Sequence, residues 1–344
     1  MPTAVAAAGL TGLALFLGGL PGAVFVVLLA LTVPHSAVVA RLDRLVAAEP
    51  ATATVGRRCP GRPRDSGRMS AAPYAWLTAA ALPVTSESVE PLLRAAQQAG
   101  ALDLPLPGSG RTLERWHSLA ELASVDLVLG RLVEAHADAA AILAELDGPV
   151  AEGLWGVWAA EPPTARVEAR RTDAGWRLSG RKAWCSGASV LDRALVTAHA
   201  GQERRLFAID VADAALVPGT WAAVGMAASG SVSIDLTDVR AEPVGGPGGY
   251  LDRPGFWHGG AGVAACWYGG ALGAARTLLA AARATPRDPH ALAHLGAVDA
   301  LVAGLAAHLA VAAGEIDADP AGAQARQRAV RLRARVEAGA TEVL

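Results

Sequence analysis

The stretch Gly175-Trp-Arg-Leu-Ser-Gly-Arg-Lys-Ala-Trp-Cys-Ser-Gly187 holds the residues best suited to chemistry. It reads as a β-strand, and a strand sends residues two apart to the same face. On that reading Trp184 and Ser186 project side by side, one a flat indole and the other a hydroxyl. A planar heteroaromatic cofactor can use such a pair, its ring against the indole and a ring nitrogen bonded to the hydroxyl. A tryptophan on a strand also serves as ordinary core or cross-strand packing, so the pair alone leaves both roles open. Cys185 lies between the two and faces the opposite side, which reads as a small buried hydrophobe rather than a nucleophile.

The elements that position this strand follow from the change of hydrophobic period along the chain. Residues 149–244 read as strands: 166–172 and 176–186 around the turn signal Asp173-Ala-Gly175, then 193–199, 204–209 and 231–236. That pattern predicts a small β-barrel or sandwich. Before it, the sequence is helical from about Ser86, with Val89, Leu92, Leu93 and Ala96 on one face and Gly100 as the stop. A second helix starts at Thr112, read as its cap, and turns Trp116, Leu119, Leu122 and Ala123 inward. A third spans 125–146. After the strands a helix runs from about Gly259 to Arg283 and carries Gly259, Gly260, Gly262, Gly269, Gly270 and Gly273. Each glycine costs about 1 kcal/mol relative to alanine in a helix, which points to close approach of another helix or a ligand, or else to a compositional bias toward small residues. Helices over 292–316 and 321–343, separated by a turn at Asp317-Ala-Asp-Pro320, complete the chain. The expected fold is α+β: an N-terminal α-helical domain (69–148), a central small β-barrel or sandwich (149–245) and an incomplete C-terminal helical bundle (246–344).

A net charge of −2 gives no basic footprint for nucleic acid. The three cysteines, Cys59, Cys185 and Cys266, have no close spacing, so neither a metal set nor a disulfide framework is expected and a reduced, cytoplasmic chain fits. His136 and Asp138 are two apart on one helix and do not share a face. Residues 1–40 contain no Asp, Glu, Lys or Arg, and the apolar stretch 4–33 is long enough to span a bilayer, although Gly18-Gly-Leu-Pro-Gly22 interrupts it. Arg41, Arg44, Arg57 and Arg58 follow, which would keep the remainder on the cytoplasmic side. Residues 1–68 therefore read either as a membrane anchor plus linker or as an extension upstream of a start at Met69.

Three further segments give the strand a context: Gly156-Val-Trp-Ala-Ala-Glu-Pro162 before it, Gly225-Met-Ala-Ala-Ser-Gly-Ser-Val-Ser-Ile-Asp-Leu-Thr-Asp-Val-Arg240 after it, and then the long Ala/Gly-rich helix. In this order they resemble the acyl-CoA dehydrogenase family, over roughly residues 69–344. The resemblance implies FAD as cofactor and α,β-dehydrogenation of an acyl-CoA or related acyl thioester by hydride transfer to the flavin N5. Trp184 matches the tryptophan along the flavin ring, and Ser186 the hydroxyl at its N5 edge. The backbone of Val157, Trp158, Ala159 and Ala160 matches the strand on the pyrimidine side. Arg283 matches the arginine that reaches the flavin pyrophosphate of a neighbouring subunit, so a homo- or hetero-oligomer is implied, with an electron-acceptor flavoprotein among the implied partners. An exposed Arg283 at a helix C-terminus is equally well explained by the helix dipole. Departures are present too. Ala160 replaces the usual Thr, Pro163-Thr-Ala-Arg166 replaces the acyl-CoA-binding Gly-Ser-Asp, and His294 replaces a Gln.

The resemblance also requires a carboxylate base, held dry so that burial raises its pKa. In most of the family that Glu belongs to a late bundle loop beyond the position of Leu344. In a minority it lies on the first bundle helix, where this chain has Gly262-Val-Ala264. Glu315, Glu337 and Glu342 read as outer-surface residues. The catalytic residues are thus unassigned, and three readings stand: a truncated sequence, a non-catalytic subunit of a heteromeric assembly, or flavin chemistry other than desaturation.

Overall fold

The computed structural model describes residue 77 and residues 82–284 and 289–344. The anchor and linker expected over 1–68, together with Cys59 and residues 285–288, lie outside the described residues. Among the described residues three helices come first: α1 (Val89–Gln98), α2 (Thr112–Val125) and α3 (Leu127–Glu145). Their inward faces are the ones the periodicity names, with Val89, Leu92, Leu93 and Ala96 of α1 and Trp116, Leu119, Leu122 and Ala123 of α2 all buried. Thr112 is not the cap of α2 but its first residue. Asp317, from the other end of the chain, caps instead, accepting from Gly110 N, Thr112 N and Thr112 Oγ1 at 2.6–3.0 Å. Asp126 caps α3 through the amides of Val128 and Leu129.

Seven strands follow: β1 (Trp155–Trp158), β2 (Val167–Thr172), β3 (Gly175–Cys185), β4 (Arg193–Ala200), β5 (Glu203–Asp210), β6 (Ala215–Val217) and β7 (Val232–Val244). The hairpin at Asp173-Ala174 joins β2 to β3 as expected. The sheet runs β1-β4-β2-β3-β7-β5, and β5 returns to β4, which closes it into a small barrel with β6 appended to β7. Since β5 covers one edge of β4 along its full length, β1 and β2 share the other, β1 at Trp155↔Arg193 through Trp158↔Val196 and β2 at Glu168↔His199. A closed barrel leaves few free edges; the second edge of β1 is one of them among the described residues.

The chain then returns to helix: α4 (Gly249–Asp252), α5 (Gly255–Ala284), α6 (Pro289–Ala318) and α7 (Ala325–Val343). Helix α6 continues through Asp317 and Ala318, which the sequence assigned to a turn. The glycines of α5 divide into two groups. At Gly269 a Cβ would collide with the backbone oxygen of Ala120, and at Gly273 it would come 2.6 Å from that of Ser124, so α2 and α5 cross in direct backbone contact there. Gly262 shows only an ordinary neighbour distance, so close packing does not explain it. Helix and barrel layers are tied by Arg94 of α1, which grips Asp192 in a fork at 2.6 and 2.8 Å, while Asp192 also accepts the amide of Leu154.

Candidate functional site

The three motif segments of the barrel meet at Ser186. Trp158 of β1 is buried, and its Nε1 donates to the carbonyl of Ser186 at 3.1 Å. The Ser186 hydroxyl shares a 2.8 Å hydrogen bond with Ser231 Oγ, which continues at 2.9 Å to Ser229 Oγ. The amide of Gly187 donates to the carbonyl of Ser229 at 2.7 Å. A hydroxyl offers one proton and two lone pairs; Ser186 can accept from Ser231 and still donate outward.

The regular alternation expected of Trp184 and Ser186 does not hold. Strand β3 ends at Cys185, its register against β7 shifts between Lys182 and Cys185, and Trp184 takes the left-handed conformation at φ 58°. The Ser186 amide then folds back onto the carbonyl of Trp184 at 3.1 Å. A left-handed tryptophan is uncommon, and such bulges concentrate where a strand re-aims a side chain beside a site. Trp184 and Ser186 are both half-buried, whereas Cys185 is fully buried, its thiol pKa pushed up by desolvation. The cysteine is therefore a packing residue, as expected.

Backbone geometry defines the other wall. The amide of Trp155 turns away from β4 and donates to His136 Nδ1 on α3 at 3.1 Å, while the carbonyl of Leu154 accepts from Asp192 and Arg193 beside β4. Backbone alternation turns the N–H and C=O of Val157 the same way as those of Trp155, onto the edge that no strand covers among the described residues. Ala159 and Ala160 continue beyond the strand end, half-buried.

Next to this wall is a polar cluster that residue spacing did not reveal. The carboxylate of Glu161 accepts from Thr197 Oγ1 at 2.7 Å, Arg204 at 2.7 Å and His199 Nε2 at 3.2 Å, and Lys182 Nζ lies 3.8 Å away. Burial alone would raise the Glu161 pKa. Lys182, the Thr197 hydrogen bond, Arg204 and His199 together outweigh it and hold the group below the ordinary range. Lys182 is 1 % exposed, and its ammonium donates to the carbonyl and hydroxyl of Thr197 at 2.8 and 2.7 Å. Desolvation lowers its pKa to about 8 against the pull of Glu161.

The remaining expectations separate. Arg283 is exposed in the last turn of α5, which packs on α2, α3, α6 and α7; within one chain it is not brought to the barrel. Glu315, Glu337 and Glu342 are exposed. Two carboxylates that the sequence does not mark as candidate bases do approach α5. Glu134 of α3 is buried, its pKa raised by desolvation, and is paired with Arg131 at 2.5 Å. Asp138, one turn on, packs directly against Gly259. Among the described residues no cluster of His, Cys, Asp and Glu is arranged to hold a metal ion.

No protein-family model matches the chain, and no curated protein matches it. Solved structures do. Dibenzothiophene monooxygenase (TdsC) from Paenibacillus sp. A11-2 superposes with a TM-score of 0.64 at 20 % identity, over 77 % of this chain and 80 % of that one. Methanesulfinate monooxygenase MsuC from Pseudomonas fluorescens gives 0.63 at 20 %, over 74 % and 77 %. The 3-HSA hydroxylase from Rhodococcus sp. RHA1 gives 0.61 at 16 %, over 77 % and 82 %. At these identities the likeness is one of fold, and the fold is the α+β acyl-CoA dehydrogenase-like architecture of helices, small barrel and helices.

Proposed function

We infer that this chain is a flavin-dependent oxidoreductase whose isoalloxazine seat is built from Trp184, Ser186 and the backbone segment Val157 to Ala160, with the N–H and C=O of Val157 turned outward. The single observation that carries the reading is the convergence at Ser186. Three segments distant in sequence are bonded to one another there, beside an edge of β1 that no strand covers among the described residues and a tryptophan held in a left-handed turn. These parts fit a flavin. An indole face matches a flat ring, a hydroxyl able to donate or accept matches a ring nitrogen, and edge N–H and C=O groups match a pyrimidine edge. Bound there, a flavin supplies two-electron redox chemistry at its N5 edge. The cofactor the sequence resemblance names is FAD, and TdsC has been solved with FMN; either tests the seat. Arg283 is assigned to the flavin of a second subunit in an oligomer.

Monooxygenation is the favoured reaction class. Two of the fold neighbours are named as monooxygenases and one as a hydroxylase, and Gly262, Val263 and Ala264 offer no carboxylate to remove an α-proton. Dehydrogenation of an acyl-CoA is the second reading, favoured by one observation: Asp138 packs against Gly259, so the facing helix brings a carboxylate to the segment that lacks its own. The test begins with purification in the presence of FMN or FAD. A folded protein without the visible absorbance of bound flavin refutes both readings. With flavin bound, reduced-flavin-dependent oxygen uptake supports the first, and anaerobic bleaching by acyl-CoA thioesters, lost in Asp138→Asn, supports the second. Flavin binding without either turnover identifies a non-catalytic partner subunit.

A further inference from the structure

Lys182 is the single lysine of a chain whose other basic side chains are all arginine or histidine. It is also among the most deeply buried polar side chains, at 1 % exposure. Its place in the barrel is specific. It stands on β3 two residues before Trp184, its ammonium bonded to Thr197 of β4 and facing Glu161 of the segment that leaves β1. Thr197 Oγ1 is the hub, since it meets the Lys182 ammonium, the Glu161 carboxylate at 2.7 Å and the carbonyl of Ala159 at 3.4 Å. The cluster therefore connects the strand that bears the indole to the backbone that would meet the pyrimidine edge. β1 and β3 are not paired as strands, and on the other side the Trp158–Ser186 hydrogen bond ties β1 to the end of β3. An unbranched ammonium with three donors suits this position, where two oxygens of Thr197 and the Glu161 carboxylate surround it.

We propose that Lys182, Glu161 and Thr197 form a clamp that sets the separation of the two walls of the flavin seat, with Lys182 as its positioning residue. The proposal rests on the flavin reading above and extends it to residues that touch no flavin themselves. A clamp of this kind acts on the bound geometry, because a seat held to within a fraction of an ångström loses affinity when its supporting groups are loosened.

The experiment measures Kd for FMN and FAD by fluorescence titration, and the visible spectrum of the bound flavin, in the full chain and in Lys182→Met, Glu161→Gln, the double variant and Thr197→Val. Far-UV circular dichroism accompanies each. The clamp predicts that Lys182→Met and Glu161→Gln each raise Kd about tenfold or more and shift the bound-flavin spectrum, while secondary structure is unchanged. The double variant, with both charges removed, falls short of the sum of the two. Thr197→Val is the mildest change in volume and charge; it keeps the assay informative if a charge variant fails to fold, and it too raises Kd. Folded variants with Kd and spectrum equal to those of the parent overturn the clamp, even if their melting temperatures fall. Absence of flavin binding by the parent chain overturns the flavin reading, and the clamp with it.

Discussion

Replacing Lys182 by methionine removes the ammonium but keeps most of the unbranched stem, so it isolates the energetics of the buried charge. In the folded chain the ammonium is desolvated and its pKa falls from 10.5 to about 8, against the pull of Glu161 and with Cys185 and Arg204 also around it. The sign follows from proton counting. Below pH 8 folded and unfolded chains both carry the proton, so this group adds no pH dependence. Between about 8 and 10.5 the unfolded chain holds a proton that the folded chain has released, so stability rises with pH; above the unfolded pKa it levels off. At 1.36 kcal/mol per pH unit the rise amounts to about 3 kcal/mol. Urea unfolding of parent and Lys182→Met, each measured at several pH values from neutrality to beyond the unfolded lysine pKa, gives the difference directly and cancels titrations common to both. The expected result is a difference that moves by about 3 kcal/mol in favour of the parent across that window. A difference that stays flat to within about 1 kcal/mol refutes the desolvated ammonium, and with it the reason for placing a lysine there.

Four other outcomes follow from the geometry. Gly269→Ala forces a Cβ onto the Ala120 backbone oxygen, so the helix crossing must open, at a cost of about 1–3 kcal/mol read from the thermal unfolding midpoint; the same change at Gly262, with room beside it, is expected to be neutral or stabilising. Arg94→Ala breaks the half-exposed fork to Asp192 and is expected to cost about 1 kcal/mol in urea unfolding, since Leu154 N still satisfies one carboxylate oxygen. Ser186→Ala removes the hydroxyl proposed for the seat and is expected to weaken FMN and FAD about fivefold, roughly one hydrogen bond, with the fold intact.

What the sequence made legible follows from the range of the interactions. Amphipathic helices declare themselves locally, and the buried faces of α1 and α2 are those the three- and four-residue spacing names. Asp173-Ala-Gly175 fixes its hairpin because the turn chemistry is contained in the turn. The cap of α2 is not legible locally because Asp317 arrives from the opposite end of the chain, and the local signal at Thr112 yields to that tertiary contact. The alternation at Trp184 failed because the bulge depends on register against β7, which no local pattern encodes. Periodicity does not mark β1, because four residues are too short for a period; only the family resemblance implies a strand over Val157 to Ala160. The clamp was invisible to spacing: Glu161, Lys182, Thr197 and Arg204 come from separate strands and loops. Its one trace in the sequence is compositional, a solitary lysine in an arginine chain.

The most direct test of the central claim is a crystal structure of the chain grown with FMN or FAD. The account predicts the isoalloxazine against the indole of Trp184, its N5 edge toward the Ser186 hydroxyl and its pyrimidine edge along Val157 to Ala160. A flavin bound elsewhere, or a Trp184 indole enclosed by packing with the ring excluded from that slot, contradicts it.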